Sequence, residues 1–525
     1  MLSPLSARLT PTIRWSLLLA LGALAASCSS GEDEGAGAGA EAPQGSSSSS
    51  GTSGRPTDGG TTDARPTDPG TADGAAPEVL TIAGPTAGSE LLYSAAVRLS
   101  VPAGVDSVEV QSGAAQCMAR GPVFECLLDL GDAPVGPLTL TATAKTAAGE
   151  IAGTASVDVV RRAVPVPCTG NANALAACVV ARADAGTSAG FAGVSYVNAD
   201  NAHAKVNTSA MTGIDAHVLE TPPPALPAGV TLGIMNESTA WILTGGRCSL
   251  TRCNPFARRA LALQYYEKGV LYFHPEHRDV GVRDFFQWQA PFFVASQGSS
   301  SSEVDEVGKS LRILGVLASD VRATVQTHAL GGPLSAFLVT RSRQTTDALY
   351  LTPDAWPTAM TNESNEERGL ALAAAIRANE LPPSAKLTAI PTFPAEWNMQ
   401  PVLTSPYAMG YAPTATPGAA PAGTFSIDVD LGASVDANAR PLAFFPSVLR
   451  GGADVVVERT GASTFRVRGS YPVDATILTG GKERIVSRTT VGFFPHNGVW
   501  LGTPAMLSVG ARAAEEVAPE SNDLD

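Results

Sequence analysis

The sequence predicts a multidomain chain: a disordered tether, an N-terminal β-sandwich, a central α/β domain and a C-terminal β-sandwich. Three observations predict it. Residues 29–77 hold almost no large apolar side chain. Stretches such as Ser107–Gly113, Leu138–Val160 and Thr424–Gly432 alternate apolar and polar residues with period two, as half-buried strands do. Between residues 163 and 415, short apolar runs alternate with segments of helical period. The boundaries fall at 1–27, 28–77, 78–162, 163–415, 416–512 and 513–525, the last segment read as a disordered acidic tail.

Arg8 and Arg14 are the only charged residues among the first 27, and the apolar run Trp15–Ser27 follows them. A positive start, an apolar stretch and small residues before a cut make a secretory signal, too short for the ~20 residues that span a bilayer. Ala25-Ala26-Ser27-Cys28 resembles the bacterial lipobox, although Ala25 replaces the preferred leucine. The resemblance implies cleavage before Cys28 and acylation of its thiol and new amino group. Several acyl chains, at about 0.8 kcal/mol per buried methylene, anchor stably where one does not. Ser29, in place of aspartate, implies an outer-membrane address, periplasmic or surface-exposed. Ordinary secretion with an incidental cysteine is the other reading of the same residues.

The segment 29–77 is built almost wholly of Gly, Ser, Ala, Thr, Pro, Asp and Glu, with a small repeat at Arg55 (RPTDGG) and Arg65 (RPTDPG). Such a composition cannot offset its ordering entropy and reads as a spacer with a mean span of roughly 40 Å. Loss of Arg8 and Arg14 with the signal takes the formal charge from −14 to −16. An acidic chain without Lys/Arg clusters is ill suited to nucleic acid. Beyond Cys28, the cysteines fall in close pairs: Cys117 and Cys126, Cys168 and Cys178, Cys248 and Cys253. Six cysteines allow 15 connectivities, and an oxidising compartment favours the three local loops. A Cys-x4-Cys spacing without nearby histidines is a poor zinc motif, so no metal and no cofactor is expected.

The hairpin pattern of Leu138–Val160, with its turn at Ala147–Glu150, resembles the closing hairpin of bacterial immunoglobulin-like domains. Cys117 and Cys126 would staple a hairpin within that module. Near the other end, Phe425, Ile427, Val429 and Leu431 share one face, Thr460-Gly461 marks a turn, and Asn497-Gly498 signals a tight hairpin. Val435–Gly452 resembles a stretch of PKD-like sandwiches, with Ala439 in place of a glycine and Pro446 in place of a core tryptophan. Asp428, Asp430 and Asp436 read as outward strand carboxylates rather than a calcium site.

In the middle, Asn254–Gly269 has a helix start and a glycine stop, and the serine run before Glu303 caps a helix carrying Val304, Val307, Leu311 and Leu314 on one face. A further helix is expected over about 366–379, and His328 is expected at a helix C-terminus. Three polar clusters follow three apolar segments. They are Asn236, Glu237 and Ser238; His274, Glu276, His277, Arg278 and Asp279; and Ser296, Gln297, Gly298, Ser299, Ser300 and Glu303. In an open α/β sheet such clusters meet beyond the carboxyl ends of the strands, where ligands bind. His274 or His277 can act as a base near neutral pH, oriented by Glu276 or Asp279, with Ser296 or Ser299 as nucleophile. The same residues also suit a solvated salt-bridge loop and a capping segment. The Ser-Gln-Gly-Ser order is not the Gly-x-Ser-x-Gly elbow of lipase-type hydrolases.

The region from about Gly233 to Ser508 is similar to a group of uncharacterised extracytoplasmic bacterial proteins sharing HPEHRD, SQGSSGSD and a C-terminal HNG turn. His274–Asp279 match the first, Ser296–Ser300 begin the second, and Ser301 and Glu303 depart from it. The similarity implies a shared site and brings no activity with it. Three functions are therefore open: a tethered module binding an extracellular ligand such as a surface protein or polysaccharide, a membrane-anchored hydrolase or transferase, and a structural envelope component.

Overall fold

Alternating strands close the first β-sandwich. The computed structural model describes residues 79–131, 133–163, 194–198, 214–218, 232–236, 262–276, 291–297, 302–343, 347, 351, 365–415, 417–451, 453–472, 475–479, 482–486 and 488–511. The strands are β1 (Thr81–Gly84), β2 (Glu90–Leu91), β3 (Ser94–Ser100), β4 (Val105–Ser112), β5 (Ala115–Arg120), β6 (Glu125–Asp129), β7 (Gly136–Thr146) and β8 (Ile151–Arg161). They form one sheet in the order β1-β3-β6 and a second in the order β2-β8-β7-β4-β5. Val97, Val108, Val110, Leu128, Leu140 and Ala142 fill the space between them and are fully buried. β7 and β8 pair as the expected antiparallel hairpin, with Gly149 at φ +83° in its turn.

Cys117 and Cys126 are bonded, with Cα atoms 5.9 Å apart. The expected staple within a hairpin is corrected here. Cys117 lies on β5 and Cys126 on β6, the edge strands of different sheets, so the bond ties the two layers together. Closing so short a loop contributes about 2–3 kcal/mol in the chain-entropy account. The other four paired cysteines and Cys28 lie outside the described residues.

The central region is built on β9 (Val194–Asn198), β10 (Ile214–Val218), β11 (Leu232–Asn236), β12 (Val270–Glu276) and β13 (Phe293–Gln297), in the order β10-β9-β11-β12-β13. Every neighbouring pair is parallel. Parallel strands are buried on both faces and read as near-continuous apolar runs, and Leu232, Ile234, Met235, Val270, Leu271 and Tyr272 are all fully buried. Against the sheet pack α1 (Ser302–Gly315) and α3 (Gly331–Ser342), while α2 (Ser319–Thr327) packs on α3, and α4 (Glu366–Ala375) on both α1 and α3. Val307, Leu311 and Leu314 of α1 are buried on its expected stripe. Asn365 caps α4 by accepting from the Arg368 amide at 2.9 Å, and His328 is the C-cap of α2. The fourth helix ends at Ala375, a turn earlier than the expected 379.

The C-terminal strands are β14 (Thr388–Thr392), β15 (Met399–Ser405), β16 (Ala408–Pro413), β17 (Thr424–Asp430), β18 (Ala443–Arg450), β19 (Val456–Arg459), β20 (Thr464–Ser470), β21 (Ala475–Thr479), β22 (Lys482–Val486), β23 (Arg488–His496) and β24 (Ala505–Gly510). They make a four-stranded sheet β14-β17-β20-β19, a five-stranded sheet β15-β16-β24-β23-β18 and a separate hairpin β21-β22. Pairing in these sheets begins at Thr388 rather than at 416, because β14, β15 and β16 join them. Phe425, Ile427, Val429 and Leu431 all point into the layer between the sheets. Asn497-Gly498 does form a turn, but a four-residue one: His496 bridges Leu501, and the Asn497 carbonyl oxygen of the side chain accepts from the Val499 and Trp500 amides.

Along β23 and β24 every residue is buried. Their sheet faces the four-stranded sheet on one side and the helical layer on the other, where Phe494, Trp500, Leu501 and Met506 join the core that holds α3. α3 is itself buried at all twelve positions, as expected of a helix enclosed on all sides. Phe337 meets Trp500 edge to face at 5.5 Å, and Thr503 donates to the Pro333 carbonyl at 2.8 Å. The start of α3 approaches Tyr266 so closely that a Cβ on Gly332 would lie 2.2 Å from the Tyr266 carbonyl oxygen. Gly332→Ala is therefore expected to destabilise the protein by about 2–3 kcal/mol or more, read as a lower midpoint in thermal denaturation. Gly418→Ala, with open space around it, serves as the control.

Candidate functional site

The five parallel strands bring their carboxyl ends to one edge, and the order of the strands decides where that edge opens. From β9 the chain passes to β10 on one side. From β11 it passes to β12 on the other. The connections leaving β9 and β11 diverge, and in doubly wound sheets ligands bind in the crevice at such a switch point. Asn198 and Asn236, the last residues of β9 and β11, are register partners there. Phe273 is the partner of Asn236 on β12, and Val294 that of Phe273 on β13. Beyond this row β12 and β13 stay paired for three more residues, His274 with Ala295, Pro275 with Ser296 and Glu276 with Gln297. At about 3.3 Å per residue, the two strands overhang the row by roughly 10 Å.

The backbone thus gathers Asn236, His274, Glu276, Ser296 and Gln297 at one edge, and Glu303 lies in the first turn of α1. Glu237, Ser238, His277, Arg278, Asp279, Gly298, Ser299 and Ser300 lie outside the described residues. His274 is the register partner of Ala295, and Ser296 that of Pro275. Sequence reading missed Asn198. The signal for it was present, since "SYVN" and "GIMN" are both short apolar strands ending in asparagine.

A second polar group has the residue types of a catalytic triad with the proton order reversed. The Ser94 hydroxyl, on β3, donates to Asp347 Oδ2 at 2.6 Å and lies 3.1 Å from His496 Nε2. The Gly498 amide donates to His496 Nδ1 at 2.9 Å. Nδ1 is therefore an acceptor, the neutral ring carries its proton on Nε2, and Nε2–H donates to Ser94. A triad needs the reverse, with Nε2 free to take the serine proton and the carboxylate on Nδ1–H. Ser94 and His496 are fully buried and Asp347 nearly so. Asp347 also pairs with the buried Arg341 of α3. The group joins the first sandwich, the helical layer and the C-terminal sheet.

Around this joint, Trp500 contacts Tyr93 as well as Phe337, and the Arg368 guanidinium lies 5.6 Å from the Tyr93 ring. Asn497 donates to the Leu381 carbonyl at 2.7 Å and to Asp436 at 2.6 Å. Asp436 also accepts from the Asn438 and Arg440 amides, with Ala439 at φ +54° inside that turn, where the PKD-like pattern carries glycine. Asp428 is exposed and bonded to Arg466 at 2.6 Å, which holds its carboxyl below the usual range. Among the described residues, no group of three or more His, Cys, Asp or Glu is placed to hold a metal ion.

No family model matches the chain, and no curated protein matches it. Solved structures to which it is similar include the fibronectin(III)-like modules of Clostridium thermocellum CbhA. That match has 20% identity over 16% of this chain and 96% of the module, with a TM-score of 0.15. Another is the PKD domain of human KIAA0319, with 17% identity over 20% of this chain and 99% of that domain and a TM-score of 0.12.

Burial, and then the charges of Arg98 and Arg341, hold the His496 ring down at about 3. The unfolded chain takes up this proton below the ordinary value near 6.5 and the folded chain does not. Stability is thus full above that value and falls as pH drops towards 3, by up to about 1.4 kcal/mol per pH unit from this group. His496→Gln is expected to lower the midpoint at pH 7 while making its decline between pH 6 and 4 shallower than the wild type's, as measured by thermal denaturation across that range.

Proposed function

We propose that this chain is a lipid-anchored extracytoplasmic binding protein: Cys28 carries the acyl chains, residues 29–77 space the body from an outer membrane, and the central α/β domain captures an extracellular ligand. The observation that carries the binding role is the switch-point edge of the parallel sheet, with Asn198 and Asn236 in register and the β12–β13 overhang beside them. The lipobox-like Ala25–Cys28 after a signal-like run supports the anchor. The Cys117–Cys126 bond accords with an oxidising compartment. Among the described residues no helix is long and apolar enough to cross a membrane. The flanking sandwiches, read as immunoglobulin-like and PKD-like modules, are the rigid mount for the central domain.

Expressed in a Gram-negative host, the full-length protein is expected to incorporate radiolabelled palmitate and to fractionate with the outer membrane. Cys28→Ser is expected to abolish the label and release the protein. For the binding role, ligands found by thermal-shift screening are expected to lose their effect in Asn236→Ala and Gln297→Ala, each read against the unliganded midpoint of the same variant. Label on Cys28→Ser, or ligands indifferent to both edge variants, would overturn the respective half of the reading.

A further inference from the structure

We propose that Asn497–Gly498 is a latent modification site, inert while its loop is seated, whose deamidation in opened molecules bars the loop from reseating. This goes beyond the binding role proposed above and does not depend on it. Asn497–Gly498 is the one Asn-Gly step in the sequence. Glycine lacks the Cβ that would keep its amide nitrogen away from the preceding side chain. In an opened chain the Gly498 nitrogen therefore attacks Asn497 Cγ. The N–Cγ bond forms, the Cγ–Nδ2 bond breaks, and ammonia leaves with the Gly498 amide proton. Water then opens the cyclic imide at either carbonyl, giving aspartate or isoaspartate.

In the folded chain both reacting groups are held. Asn497 Oδ1 accepts from the Val499 and Trp500 amides at 3.2 and 3.0 Å. Its Nδ2 donates to the Leu381 carbonyl at 2.7 Å and to Asp436 Oδ2 at 2.6 Å. The Gly498 amide proton is engaged by His496 Nδ1 at 2.9 Å. Ring closure makes Cγ tetrahedral and expels Nδ2, so it cannot proceed without giving up the bonds to Leu381 and Asp436. Asn497 is only 4% exposed, which also keeps away the water that the second step consumes.

Either product is a misfit in the same seat. The aspartate oxygen that replaces Nδ2 has no proton to give. It would face the Leu381 carbonyl and the Asp436 carboxylate, three acceptors together and two of them charged. Isoaspartate instead adds a main-chain methylene inside the turn closed by the His496–Leu501 bridge. This loop carries Trp500 against Phe337 and Tyr93, so a chain that cannot seat it leaves α3 without that cover. The step runs one way, and molecules opened for long enough leave the folded pool.

The test ages the full-length protein in buffer and, unfolded, in guanidinium chloride at the same pH, with Asn497 followed by peptide mapping in the mass spectrometer. Conversion is expected to be about a hundredfold or more slower in buffer, since there it waits on the minor opened population. Gly498→Ala, aged in guanidinium where folding plays no part, is expected to slow it several-fold. Asn497→Asp, which makes the first product directly, is expected to lower the thermal midpoint or to prevent folding. Adding Asp436→Asn, which returns a donor to the pair, is expected to recover part of that loss. Equal ageing in buffer and guanidinium, an Asn497→Asp midpoint at the wild-type value, or no recovery from Asp436→Asn overturns the inference.

Discussion

The enclosure of α3 is the constraint from which the rest of the described body follows. A twelve-residue helix with no exposed position needs a partner on every side, and no single sheet can supply that. The parallel sheet covers one side and α1 and α4 pack alongside it. The five-stranded C-terminal sheet covers the remainder through Trp500 and Thr503. That sheet must in turn be buried on both faces, which is why β23 and β24 show no alternation in burial. Small residues make the arrangement possible, as at Gly332 against Tyr266 and Gly502 against Pro383. The C-terminal module is thus less a free sandwich than a lid on the helical layer, with one of its sheets shared between two cores.

The Ser94–Asp347–His496 group supplies direction to a junction that apolar packing alone would leave slippery. Apolar faces can slide at little cost, whereas a buried hydroxyl, carboxylate and imidazole are all satisfied in one arrangement only. Arg162 on Glu380 and Arg459 on Glu125 repeat the device nearer the surface, the first tying the end of the first sandwich to the turn after α4 and the second tying it to β19. Resemblance to a triad is then a matter of composition alone. The same three residue types that activate a nucleophile when the imidazole is half-exposed become cement when its Nδ1 is held by a backbone amide.

What could be read from the chain were the features encoded locally. Phe425, Ile427, Val429 and Leu431 alternate because β17 has one dry and one wet face. The α1 stripe and the β7–β8 hairpin were legible for the same reason, each being specified within one short continuous segment. The carboxyl-edge cluster was partly legible, since polar residues after apolar runs mark strand ends. The strand order was not, because it depends on pairings between segments far apart, and with it went the significance of Asn198. Ser94 and His496 are 402 positions apart, and nothing near either one marks it as buried. The disulfide was legible as a pair but not as an inter-sheet tie, since a nine-residue separation fits either geometry. The start of the C-terminal sheets at Thr388 was hidden because β14, β15 and β16 follow a helix directly and read as more of the alternating middle.

The interleaving of distant segments has a bearing on how such a chain matures. A sandwich near the amino end can close on its own contacts, but the seat for Ser94 does not exist until the segment around His496 has been delivered. Until then α3 lacks its last wall, and a broad greasy surface is open to solvent. Loop closure over so many residues is slow and favours collapse into wrong pairings. A polypeptide threaded across a membrane from its amino end would spend that whole interval in need of a holdase, and one cut short just before the last two strands would be a target for proteolysis rather than a smaller working protein.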